Sequence, residues 1–90
     1  MPGENNISKN REKINKIDNQ IIDLLNQRAD ISLTIREIKK SSGVEIYDLS
    51  REEEIIDTLC KKNNGPLQDE NIREIFKNIL EIMRGLPDKN

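Results

Sequence analysis

The chain contains no histidine and no tryptophan, and only one tyrosine, one phenylalanine and one cysteine. Each scarcity removes a class of chemistry. Without histidine, the commonest general base and metal ligand is missing. Cys60 has no imidazole to activate it and no second thiol to pair with, so it is a poor nucleophile and cannot close an internal disulfide. It reads as a small packed hydrophobe in a reducing compartment. The four glycines are scattered and form no phosphate-cradling loop. Tyr47 and Phe76 are too few to stack on single-stranded nucleic acid, and a net charge of −2 lacks the basic excess of a nucleic-acid binder. No apolar run is long enough to span a bilayer. The opening MPGENNISKN has no signal-peptide core, so a cytoplasmic location is expected. The expectation is therefore of no metal, no cofactor, no nucleic acid and no membrane. An enzyme of this composition must work without the usual nucleophile and base.

What is present is helical periodicity. Ile14, Ile17, Ile21, Leu24, Arg28, Ile31, Ile35 and Ile38 follow an alternating three-four spacing, and no proline or glycine interrupts Ser8 to Ser42. Asn5, Asn6 or Ser8 can cap the start, and Gly43 suits the end. Ile22, Leu25, Ala29 and Leu33 add a second apolar strip, so this helix has more than one partner surface. Residues 41–47 read as a loop. A second helix starts near Asp48 or Ser50, where Ser50 and Glu53 fit a capping box, and carries Ile55, Ile56 and Leu59 on its apolar face. Asn63, Asn64, Gly65 and Pro66 end it. A third starts near Gln68 with Asp69 and Glu70 in its first turn, and buries Ile72, Ile75, Phe76, Ile79, Leu80 and Met83 before Gly85 and Pro87 stop it.

The fold expected is all-α: one long helix and two shorter ones in a single domain spanning residues 1–90, with ends 1–7 and 86–90 frayed. With 33% apolar and 36% charged residues, the core is thin for a monomer. A first helix of about 34 residues extends roughly 50 Å, whereas a compact domain of this size measures about 30 Å across. Two short helices cannot cover it. A homodimer in which the long helices pack together is the economical solution.

Arg28 interrupts the apolar stripe, and two readings are open. Its guanidinium can snorkel to water or pair with a glutamate, which makes it structural. Alternatively it belongs to an anion site. Lys39 lies eleven positions on, about 20° around the helix and roughly 16 Å along it, so the two cations share a face. Arg51 and Glu52 follow just past the connecting loop. Arginine in the first turn does not complement the helix dipole, so Arg51 is either a solvated surface residue or part of the same wall. Cations converging in an apolar pocket repel one another unless an anion joins them, and a dicarboxylate gripped by arginine forks fits.

These residues resemble a family. The stretch REKINKIDNQIIDLLNQR, the following IKK, the loop ending in DLSRE and the segment IFKNILE are similar to the all-helical, AroQ-type chorismate mutases from about Arg11 to Leu86. The resemblance implies an intertwined homodimer of three-helix chains with two equivalent sites. It implies the Claisen rearrangement of the dicarboxylate chorismate to prephenate, on the route to phenylalanine and tyrosine. That reaction is unimolecular and needs no nucleophile, metal or obligatory proton transfer. The enzyme restrains the reactive conformer and stabilises charge on the ether oxygen.

The resemblance implies that Arg28 and the partner chain's Arg11 bind substrate carboxylates and that Lys39 contacts the ether oxygen and a carboxylate. It implies that Asp48 and Glu52 lie at the substrate hydroxyl, Asp48 through its backbone, with Arg51 as a further pocket arginine. Ile35 and Leu80 fall at apolar walls. Arg11 lies roughly 42 Å along the helix from Lys39, so it cannot reach its own chain's site. An antiparallel partner helix can deliver it, with the two helices crossing near Ile21 to Leu24.

The departures are C-terminal. Met83 falls where many members have a small polar residue. Pro87 falls where they have a glutamine or glutamate bonded to the ether oxygen. Arg84 or Asp88 can stand in, or Lys39 acts alone; losing one donor costs about 10²–10³ in rate. Two alternatives share the fold: an isochorismate pyruvate lyase, or a non-catalytic regulatory or dimerisation module.

Overall fold

A computed structural model describes residues 2–45 and 47–88. It contains three helices: α1, Pro2–Ser42; α2, Leu49–Lys62; and α3, Asp69–Gly85. Among the described residues there is no strand. The chain divides into two compact units, Met1–Ile31 and Ser32–Asn90. The first is α1 up to Ile31. The second holds the rest of α1 together with α2 and α3.

The helix ends follow from local chemistry. α1 begins at Pro2, upstream of the three capping candidates Asn5, Asn6 and Ser8. A proline is tolerated there because the first helical N–H groups have no intrahelical partner. At the other end Gly43 adopts φ +72°, the left-handed region that a side chain would strain. The Gly43 N–H then reaches the Lys40 carbonyl at 3.4 Å and the Val44 N–H reaches that of Lys39 at 3.1 Å. That pair of bonds is a Schellman cap, as Gly43 led one to expect. Ile46, in the loop expected over 41–47, lies outside the described residues.

α2 is capped by Asp48 rather than Ser50: the Asp48 carboxylate accepts the Arg51 N–H at 3.1 Å. Asn63 ends α2 and organises the turn that follows. Its amide donates to the Leu67 carbonyl at 2.7 Å and to Asp69 at 3.1 Å, while its oxygen accepts the Gly65 N–H. α3 starts one residue after Gln68, whose N–H donates to the Asn71 side chain at 3.0 Å.

The apolar faces of α2 and α3 meet in the second unit. Ile56, Cys60 and Leu80 form the buried cluster, and Ile72 and Phe76 pack against it. Met83 is buried as well. Cys60 behaves as expected of a packed thiol, with its Sγ 3.6 Å from the Asp69 carbonyl. Ile75 departs from the expected stripe: it sits at the edge, 43% exposed. Because so few side chains share this cluster, each carries weight. Ile56→Ala should cost about 2–5 kcal/mol, a large fraction of the stability of a small domain. A fall in the urea midpoint followed by circular dichroism at fixed protein concentration would measure it.

The long stripe of α1 behaves differently. Ile14, Ile17, Ile21, Leu24, Ile31, Ile35 and Ile38 are all between 47% and 62% exposed in the single chain. The second strip is better covered from Leu25 on: Leu25, Ala29 and Leu33 are half-buried, whereas Ile22 is exposed.

Candidate active site

The expected site residues fall in both units. In the first, Arg11 is exposed and Arg28 is half-buried. Seventeen helical positions separate them, roughly 26 Å along the axis, so one chain's Arg11 and Arg28 cannot grip the same small molecule.

In the second unit, Lys39 is half-buried in the last turns of α1. Its carbonyl accepts the Val44 N–H of the Schellman cap at 3.1 Å. Asp48 spends one carboxylate oxygen on the α2 cap, and its carbonyl accepts the Glu52 N–H at 3.1 Å. Arg51 is exposed, and its guanidinium donates to Glu54 at 3.2 Å. Glu52, one residue on, is half-buried and reaches α3.

The partner of Glu52 is Arg84, from the last turn of α3. The two side chains make a close ion pair, with the Arg84 guanidinium donating to a Glu52 carboxylate oxygen. That hydrogen bond raises the Arg84 pKa above its usual value, against the opposing effect of desolvation. The structure thus joins two residues that the sequence offered separately, one from the start of α2 and one from the end of α3. Leu80 and Met83 are buried in the same terminal half of α3, whereas Ile35 stays 47% exposed. Pro87 is exposed and lies beyond the end of α3.

Asp88 is engaged elsewhere. Its carboxylate is bonded to Lys40 and, at 3.2 Å, to Arg36. These bonds, that from Lys40 first, hold its pKa below the usual carboxylate range. An ionised carboxylate only accepts hydrogen bonds, so Asp88 cannot donate one to an ether oxygen.

Sequence reasoning missed Arg36. Its guanidinium donates to the carbonyls of Leu86 at 2.6 Å, Met83 at 2.8 Å and Arg84 at 3.2 Å. Its side chain is 12% exposed. A signal was present: Arg36 continues the second strip of Leu25, Ala29 and Leu33 by one three-residue step, so it faces inward from the covered side of the helix.

Among the described residues, no cluster of three or more histidine, cysteine, aspartate or glutamate side chains could hold a metal ion. None of the described helices is long and apolar enough to cross a membrane.

Comparison with known proteins connects this geometry to a chemistry. A family model described as chorismate mutase type II matches residues 10–86. A chorismate mutase of Methanocaldococcus jannaschii is 39% identical over 80 residues, which is 84% of this chain and 78% of that protein. A bifunctional chorismate mutase/prephenate dehydratase of Buchnera aphidicola subsp. Schizaphis graminum is 36% identical over 84 residues. The match takes in 90% of this chain but only 21% of that longer protein. Among solved structures, form II of a chorismate mutase from Thermus thermophilus superposes with a TM-score of 0.86 at 32% identity, covering 89% of this chain and 91% of that one.

Proposed function

We infer the chemistry of this chain from its family: it belongs to the type II chorismate mutases and is an isomerase that converts chorismate to prephenate. One carbon–oxygen bond breaks as one carbon–carbon bond forms, and no proton has to be transferred. The protein's task is to hold the compact conformer and to stabilise negative charge on the departing ether oxygen. A wall of cations with hydrogen-bond acceptors suffices, which removes the difficulty raised by a chain without histidine.

In the proposed division of labour, Arg28 grips one carboxylate bidentately. Lys39 contacts the second carboxylate and the ether oxygen. Glu52 and the Asp48 backbone orient the hydroxyl, and Arg51 closes the mouth of the pocket. Ile35, Leu80 and Met83 supply the apolar wall. The position of the usual C-terminal donor is occupied by Pro87, which has none to offer. Of the two substitutes, Asp88 is an acceptor already held by Lys40 and Arg36. Arg84 is a donor and is held beside Glu52. The Glu52–Arg84 pair is therefore the observation that carries this assignment, with Arg84 reaching the ether oxygen in place of the missing side chain.

The working form proposed is an intertwined homodimer in which Arg11 enters the partner's site. The separation of Arg11 from Arg28 along α1 supports it, as does an isoleucine stripe too large to leave in water. The long helices then cross near Ile21 to Leu24. The test is direct: purified protein should consume chorismate, followed by loss of its absorbance, with prephenate as product. Isochorismate offered in parallel should release no pyruvate. Unchanged chorismate would overturn the reading.

A further inference from the structure

α3 has an unusual problem at its C-terminus. The last carbonyls of a helix need donors from outside the helix, most often N–H groups of the residues that follow. Here the following residues supply little. Gly85 does not take the positive φ of a glycine cap; among the described glycines only Gly43 and Gly65 do. The Leu86 N–H reaches Met83 at a long 3.4 Å, and Pro87 has no N–H at all.

Arg36 fills that gap from α1. Its two terminal nitrogens donate to the carbonyls of Met83, Arg84 and Leu86 and to the Asp88 carboxylate. A positive charge there also complements the negative end of the α3 dipole. The residue whose carbonyl Arg36 holds, Arg84, is the same one whose side chain meets Glu52.

We propose that Arg36 is a positioning residue for the reaction: by capping the last turn of α3 it fixes the direction in which the Arg84 guanidinium leaves the backbone. The inference rests on the assignment of Arg84 to the ether oxygen. A catalytic donor displaced by about 1 Å can lose up to about a hundredfold in rate, so a cap that sets the angle of the final turn has leverage on turnover. The fork of arginine suits the task because it serves several carbonyls at once, which a lysine point charge does not.

The test is a double-mutant cycle on the full-length protein, read as kcat and KM for chorismate. Arg36→Ala should lower kcat about 10- to 100-fold with a smaller change in KM. In an Arg84→Ala background, the same substitution should change kcat by less than about twofold, because the group it positions is gone. Arg36→Lys should recover only part of the loss. Arg73→Ala, which removes an exposed ion pair with Asp57 between α2 and α3, should leave kcat unchanged.

An equal loss from Arg36→Ala in both backgrounds would mark Arg36 as merely structural and overturn the proposal. So would no loss in the first background. If Arg84→Ala alone costs nothing, the assignment of Arg84 fails first and takes this inference with it. Should Arg36→Ala not fold, Arg36→Lys carries the same cycle.

Discussion

Mixing Arg11→Ala protein with Arg28→Ala protein should restore an activity that neither has alone. In a dimer that exchanges Arg11, each homodimeric variant lacks one carboxylate clamp in both of its sites. Each should lose about 10²–10³ in kcat/KM, as expected when one charge-assisted anchor is taken from a water-excluded site. The mixed dimer differs. One of its sites combines an intact Arg28 with an intact Arg11 from the other chain, and the second site lacks both. Random exchange makes half the dimers mixed, so activity should return to about a quarter of the wild-type value. The physical basis is the roughly 26 Å that the helix rise places between the two residues in one chain. Absence of recovery after verified subunit exchange, for instance by mass spectrometry of a tagged copy, would overturn the exchange of Arg11 between chains.

Lys39→Ala should be the most damaging single substitution on α1. The residue is assigned two contacts, one with a carboxylate and one with the ether oxygen, so both KM and kcat should suffer. Removal of a donor that acts at the developing charge costs about 10²–10³ in kcat. The carboxylate contact adds a rise in KM, since that contact is made in the ground state as well. Stability should change little. Lys39 is half-buried and its backbone role in the Schellman cap needs no particular side chain. Lys39→Arg should recover part of kcat/KM, because it keeps the charge while shifting the donor. Steady-state kinetics on chorismate, with a thermal melt as control, distinguish this from a folding defect. A variant that retains full kcat would transfer the ether-oxygen role to Arg84 alone.

Much of the fold could be read from spacing. The three helices, the glycine stop after Ser42 and the Asn63–Pro66 break all follow from periodicity and cap chemistry, which act within a few residues. The α1 start at Pro2 differs from expectation, and of the two starts offered for α2 the structure uses Asp48, not the Ser50 capping box. Helix ends are decided by small local free energies, and several neighbouring residues can supply the cap. The charged set of Arg28, Lys39, Arg51 and Glu52 was visible because the charges interrupt or adjoin an apolar pattern.

The Glu52–Arg84 pair and the Arg36 cap were not visible in that way. They join residues 32 and about 50 positions apart. No periodicity within a helix records such separations. Arg36 shows the limit well: its place on the inner strip could be read from the spacing, but not which carbonyls it would meet.

The sequence by itself determined the three helices and most of the apolar faces on which α2 and α3 meet. These depend on side-chain identity and on dihedral preferences that neighbours share. Only the tertiary structure decided which carboxylate Arg84 meets, that Asp88 is withdrawn as a candidate donor, and how a helix ending in Gly-Leu-Pro has its carbonyls satisfied. Those outcomes depend on the packing of α3 against its neighbours, since a hydrogen bond is made or lost within a few tenths of an ångström.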